Sequence, residues 1–511
     1  MAGLPVRPSF LRALRGAAWV LALASLSACS AWAQSEQTRD VLGVAHTAGK
    51  YSFTQKDYLS EGADELLELG TRVIKVWFGS DAEAYYPFNS DWPADAKSLA
   101  EVAQEPYYRE LFEKPFTTYI LVLTRTDGVS FFWDGMTREE KLAERQEMSD
   151  LAKYLLTTYA GTGKTFVLQN WEGDHLLRRG LKDNEVPDNT RLKGMADWWN
   201  ARQAGVEQAR RLTPAKGVTV VHAIEVNHLK DAMAGKVTAT NNVVPQTRAD
   251  LYSYSSWDIE LDRARLTQAL DYLAAKAPDS RLYGSRNIYL GEFGAAKDHL
   301  GPDDVKRDLI RELADTALGW GVRYAIYWQV FCNEPLREYT GRPANDDMRG
   351  FWLIRPDGTR SATWNDFVAL YGTSLHRVSL RARSGRFLTA EEGSIEAGER
   401  QPGPWGRFTV QDLNGGVLRN GDPVRLQSHD GLYLGESDGE ISATYREPGA
   451  ETAFVLRGVG SEEREALRGN AAVALESPTG RFLAVDRATG EVRALSERIG
   501  PEETFRLGLN E

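Results

Sequence analysis

Between Val41 and Tyr371 the chain changes period again and again, from short β-rich runs to longer stretches of helical pattern, and few folds accept that alternation. The β-rich runs are eight. They cover Val41 to His46, Arg72 to Phe78, Tyr119 to Thr124, Thr165 to Trp171, Val218 to Val226, Asp250 to Ser255, Asn287 to Glu292 and Tyr324 to Val330. Amphipathic stretches separate them, among them Tyr58 to Leu69, Arg138 to Tyr159, Trp198 to Arg211, Asp262 to Lys276 and Asp304 to Leu318. Parallel strands need such crossovers, and eight β-α units over roughly 330 residues are what a (β/α)₈ barrel with loop insertions requires. Gly350 to Phe367 reads as a closing hairpin and a last helix.

After Tyr371 the helical period disappears and one pattern occurs three times. Val378, Leu380, Gly385, Phe387 and Leu388 match Val424, Leu426, Gly431, Tyr433 and Leu434, and again Val473, Leu475, Gly480, Phe482 and Leu483. Each copy reads as a hairpin whose turn needs the glycine, and a later phenylalanine (Phe408, Phe454, Phe505) closes each unit. Three such units resemble a β-trefoil of the fascin-like or ricin-lectin-like kind over Leu375 to Leu509. The expected fold is therefore an α/β (β/α)₈ barrel at 34–372 followed by an all-β trefoil at 375–511.

The first 33 residues read as an export leader. Arg7, Arg12 and Arg15 precede the apolar run Ala17 to Leu26, which is too short for a permanent membrane span. Two cleavage readings stand side by side: a lipobox at Leu26-Ser27-Ala28-Cys29, and an A-x-A site at Ala31-Trp32-Ala33. Export from a bacterial cell is expected, to the periplasm, to the medium, or to a membrane through a lipid on Cys29. Besides Cys29 the only cysteine is Cys332, so stability rests on packing rather than disulfides. A net charge of -11 argues against a nucleic-acid partner, because phosphate neutralisation needs a basic surface.

In parallel barrels reactive side chains sit at the C-terminal ends of the strands. The seventh run ends Leu-Gly-Glu292-Phe-Gly, and the fourth ends Gln-Asn170-Trp171-Glu172-Gly-Asp174. Each apolar strand thus delivers a carboxylate to the same open face, and a pair of carboxylates is what glycoside cleavage needs.

On these residues the barrel resembles the clan A glycoside hydrolases, broadly those related to family 5. The resemblance implies Glu172 as acid/base, Glu292 as nucleophile, Trp328 as a sugar-stacking ring, and Tyr254 as a partner of the nucleophile. It implies retaining cleavage of β-linked poly- or oligosaccharides. The family has Asn directly before its acid/base, whereas here Trp171 stands between Asn170 and Glu172; Lys75 or Arg72 would replace its strand-two Arg. Further candidates for sugar contact are Asn170, His46, Trp257, Glu225, Asn227, Asn333 and Glu334, with Trp77, Trp133 and Trp171 as aromatic walls. Asn333-Glu334-Pro335 follows strand eight, so Glu334 is expected to line the sugar site rather than to act as the acid. His175 and His228 are too dispersed for a metal cage, and no metal or other cofactor is expected. Gly161-Thr-Gly-Lys164 precedes a strand instead of opening a helix, which excludes a phosphate loop.

Two other readings use the same residues: a carbohydrate-binding protein that has lost catalysis, motivated by Trp171, and a transglycosylase. The trefoil is expected to bind carbohydrate or to serve as a structural accessory.

Overall fold

The computed structural model describes residues 36–93, 96–124, 132–182, 184–296 and 303–509. The leader, with both cleavage motifs, lies outside the described residues.

Eight parallel strands close into a barrel: β1 (Leu42–His46), β2 (Val73–Phe78), β3 (Thr118–Leu123), β4 (Lys164–Gln169), β5 (Val218–Val226), β6 (Leu251–Ser255), β7 (Ile288–Phe293) and β8 (Ala325–Tyr327). Leu42 pairs with Ala325, which joins the last strand to the first. The strands are apolar almost throughout because helices cover their outer faces and side chains fill the interior. The helices Tyr58–Leu69, Arg138–Thr158, Asn189–Leu212, Arg263–Lys276 and Asp303–Trp320 form much of that cover. Asn189–Leu212 begins earlier than its apolar period suggests because Asp188 caps it, accepting from Arg191 N at 2.8 Å. β8 is shorter than its apolar run. Beyond Tyr327 the chain still donates to both neighbouring strands, from Trp328 N to Phe293 O and from Val330 N to Ala45 O, but without a regular ladder.

A glycine decides the geometry of β7. Its register shifts relative to both neighbours between Leu290 and Phe293. A Cβ on Gly291 would lie 1.9 Å from Ser253 Oγ and 2.6 Å from Glu225 Oε1, so this inward position takes no side chain. The irregularity turns Glu292 toward the interior as well, the usual effect of a bulge beside a site.

The C-terminal region has twelve strands in three groups of four: β9 (Ser374–Arg381), β10 (Phe387–Glu391), β11 (Ser394–Glu399) and β12 (Phe408–Asp412); β13 (Asp422–Gln427), β14 (Tyr433–Ser437), β15 (Glu440–Tyr445) and β16 (Phe454–Gly458); β17 (Ala472–Glu476), β18 (Phe482–Val485), β19 (Val492–Ser496) and β20 (Phe505–Leu509). The outer strands of each group pair antiparallel in a ring, β9-β12-β13-β16-β17-β20 and back to β9. The inner strands form three hairpins. Gly385, Gly431 and Gly480 all hold positive φ, of 82°, 77° and 78°, and Phe408, Phe454 and Phe505 are buried in one shared core.

The two regions are stitched together. The short strand Glu36–Gln37, ahead of the barrel, pairs antiparallel with β9. The Gly431 turn sits on helix Asp303–Trp320, where Gln427 Nε2 donates to Asp315 O at 3.4 Å and Arg311 donates to Tyr433 Oη at 3.2 Å. His429 Nε2 lies 3.0 Å from Asp271 on the neighbouring helix. No described helix is long and apolar enough to cross a membrane.

Candidate active site

Inside the C-terminal end of the barrel lies a buried polar layer. Alternation along the strands points Lys75, Gln169, Glu225 and Ser253 at the axis. Lys75 Nζ donates to Glu225 Oε1 at 2.8 Å, to Glu292 Oε1 at 2.8 Å and to Gly291 O at 3.1 Å. Gln169 Nε2 donates to Glu225 Oε1 at 3.0 Å, and Ser253 Oγ to the same atom at 3.3 Å. Tyr289 closes the layer by donating to Gln169 Oε1. The second oxygen of Glu292 accepts the indole N–H of Trp257 at 2.9 Å.

Glu172 follows β4 at the start of helix Gly173–Arg178. Its backbone N–H donates to Glu225 Oε2 at 3.0 Å, which fixes the acid's main chain to the polar layer. Gly173 makes this approach possible, since a Cβ there would lie 2.7 Å from Glu225 O. Glu172 Oε2 lies 3.1 Å from His175 Nε2, and the His175 ring stacks on Trp171 with centroids 5.7 Å apart and touches His228 edge-on at 5.1 Å.

Burial raises both carboxyls above the ordinary range, but their surroundings differ. Glu172 is pushed up to about 9, by burial first and then by the charges of Glu292 and Glu225, against the charge of Lys75. Glu292 is also raised by burial, yet the Lys75 ammonium and the Trp257 N–H both act to hold it ionised. Lys75 itself is held protonated by its two carboxylates, which outweigh its own burial. Of the two carboxyls, Glu292 is the one whose ionised form a neighbouring cation and an N–H donor both favour.

Several candidates occupy other places. Tyr254 does not reach Glu292: with Ser253 facing the axis, the next residue faces away, and its hydroxyl donates to Asp258. Trp257 takes the position expected of Tyr254. His46 points into the helix layer, where Nε2 meets Tyr58 O at 2.7 Å and burial lowers its imidazole to about 4. Glu225 lies beneath the mouth, fully buried in the polar layer. Asn227 pins a loop, its Oδ1 accepting from Asp174 N at 3.1 Å. Asn170 spends its amide on β5, donating to Glu225 O at 3.1 Å and accepting from Glu225 N at 3.2 Å. Glu334 pairs with Arg349 at 2.8 Å and is not among the residues that line the cavity beside the carboxylates. Trp133 donates to Leu176 O at 3.1 Å beneath the Arg191 guanidinium.

Beside the carboxylates opens a cavity of about 500 Å³. Trp77, Trp171, Trp198, Trp328 and Tyr85 line it, together with Asn170 and Asn333. Trp328 stands edge-on to Trp77 at 5.5 Å and to Trp257 at 6.4 Å, and so connects the cavity wall with the indole that holds Glu292. Neither Glu172 nor Glu292 lines this cavity directly; both are buried at its flank. Strand periodicity could not have found Tyr85 and Trp198, because one ends the short helix Ala82–Tyr85 after β2 and the other belongs to helix Asn189–Leu212.

No protein-family model and no curated protein sequence matches the chain. Among solved structures, a GH5_18 protein from Bifidobacterium longum subsp. infantis is similar over 65% of this chain and 78% of its own, at 13% identity and a TM-score of 0.42. A Bacteroidetes-affiliated GH5 cellulase linked with a polysaccharide utilization locus is similar over 66% and 90%, at 13% identity and a TM-score of 0.40. A GH5-4 broad specificity endoglucanase from Bacteroides salanitronis is similar over 66% and 96%, at 13% identity and a TM-score of 0.39.

Proposed function

We propose that the chain is a retaining glycoside hydrolase acting on β-linked poly- or oligosaccharides, with Glu292 as nucleophile and Glu172 as acid/base. One observation carries the reading: two buried carboxyls from β7 and the end of β4 share one electrostatic cluster, and only Glu292 is held by Lys75 and Trp257.

Lys75 ties down Glu292 Oε1 from beneath, which leaves Oε2, on the Trp257 side, to attack the anomeric carbon. Glu172 enters the reaction protonated and gives its proton to the departing glycosidic oxygen. Once the leaving group has gone, Glu172 is a carboxylate and takes a proton from water as that water attacks the glycosyl ester, which frees Glu292. The indole walls supply flat apolar faces for pyranose rings.

Covalent trapping with a 2-fluoro sugar, followed by peptide mapping, tests the assignment. The label is expected on Glu292, and Glu292→Gln should abolish turnover while preserving the fold. A label on another carboxylate, or full activity in Glu292→Gln, defeats it.

The C-terminal ring with its three hairpins supports reading that region as a β-trefoil accessory. The leader sequence supports export.

A further inference from the structure

Only two charged side chains line the aromatic cavity among the described residues, Asp81 and Arg179, and they are in different states. The Asp81 carboxylate is already engaged: Thr124 Oγ1 donates to it, and so does the Tyr85 hydroxyl. Among the described residues Arg179 hydrogen-bonds only through its backbone. Its N–H donates to Leu176 O at 3.4 Å, and its carbonyl accepts from Arg191 Nη1 at 3.0 Å. Its guanidinium has no ion pair and no hydrogen bond with any described residue, although it is near enough to Tyr85 to act on that phenol's ionisation. The main chain thus fixes where Arg179 stands, and the five N–H donors of its exposed guanidinium meet no described residue at the cavity wall.

We infer that the cavity takes a sugar carrying an anionic substituent, which Arg179 grips. This rests on the proposed reading of the barrel as a glycosidase and adds the substrate class. A planar guanidinium matches a carboxylate or a sulfate ester through two parallel hydrogen bonds, whereas a neutral hydroxyl uses one donor and leaves the charge unanswered. The chain carries a net charge of -11, so its overall field does not collect anions. Recognition has to be local, at this guanidinium, and should weaken with salt.

Tryptophan fluorescence reads the site, because four indoles line the cavity. The full chain is titrated with glucuronate, glucose 6-sulfate, glucose and sodium sulfate. The anionic sugars are expected to bind roughly tenfold more tightly than glucose, the advantage of a charge-assisted pair, and the tighter of the two identifies the substituent. Arg179→Ala should erase that difference. Equal responses to all three sugars, including none, overturn the inference, as does a preference that survives Arg179→Ala or an equal effect of sodium sulfate alone.

Turnover of neutral and uronate-containing glycans is measured in parallel. Hydrolysis without any anionic preference sinks this inference and leaves the glycosidase reading standing. Arg179-dependent binding without turnover of any glycan does the reverse.

Discussion

Lys75 Nζ lies 2.8 Å from Glu292 Oε1, and both side chains are almost wholly out of water. The same ammonium holds Glu225 at 2.8 Å, so one cation answers two buried carboxylates. Removing one member of such a group leaves an uncompensated buried charge, which costs far more than the group contributes net.

Lys75→Met should therefore lower stability by about 3–5 kcal/mol in denaturant unfolding. Glu292 would then favour its protonated form at neutral pH, and turnover should fall on the order of 10²-fold or more. Wild-type stability in this variant would show that the cluster is not buried as described.

Glu172 makes stability depend on pH. Its carboxyl is raised from 4.5 when unfolded to about 9 when folded, so between those limits the native state binds more protons than the unfolded chain. Its contribution is present below about pH 4.5 and is lost as pH rises toward 9. Glu172→Gln cannot ionise and should gain stability over wild type on going from pH 5 to pH 8, by about 1–3 kcal/mol. Calorimetry at the two pH values measures it; an unchanged difference contradicts the raised carboxyl.

His175 acts through Glu172. Its own protonation is lowered, by burial and then by His228, so at neutral pH it is an uncharged imidazole with Nε2 3.1 Å from Glu172 Oε2. A donated Nε2–H favours the carboxylate form. His175→Ala should then move the basic limb of the kcat/KM profile upward by about half a pH unit or more and leave the acidic limb in place. A simple loss of rate with an unmoved profile would reduce His175 to a packing residue.

The three repeat glycines separate backbone strain from domain docking. All have positive φ, so alanine at any of them costs about 1–2 kcal/mol. At Gly385 and Gly480 a Cβ meets nothing within 4 Å, whereas at Gly431 it would lie 2.4 Å from Thr316 Cα on the barrel helix. Gly431→Ala should lose clearly more stability than Gly385→Ala or Gly480→Ala in parallel unfolding curves. Equal losses would mean that the turn does not carry the contact between the two regions.

The alternation of periods places all eight barrel strands to within a few residues, the repeat marks three units in the second region, and strand ends single out Glu172 and Glu292. These features are legible because each is written in consecutive residues: a side chain's polarity and its neighbours two or four positions away suffice. Which polar groups meet across the barrel is not local information. A one-residue change of register sends a side chain to the opposite face, so Tyr254 turns outward, and the irregularity at Gly291 brings Glu292 to Lys75. Glu225 and Asn170 look from their neighbours like sugar contacts, and only closure of the barrel spends them on each other and on Lys75. The seat of the Gly431 turn on a distant helix is likewise set by packing, because steric fit between segments far apart in the chain leaves no trace in either one alone.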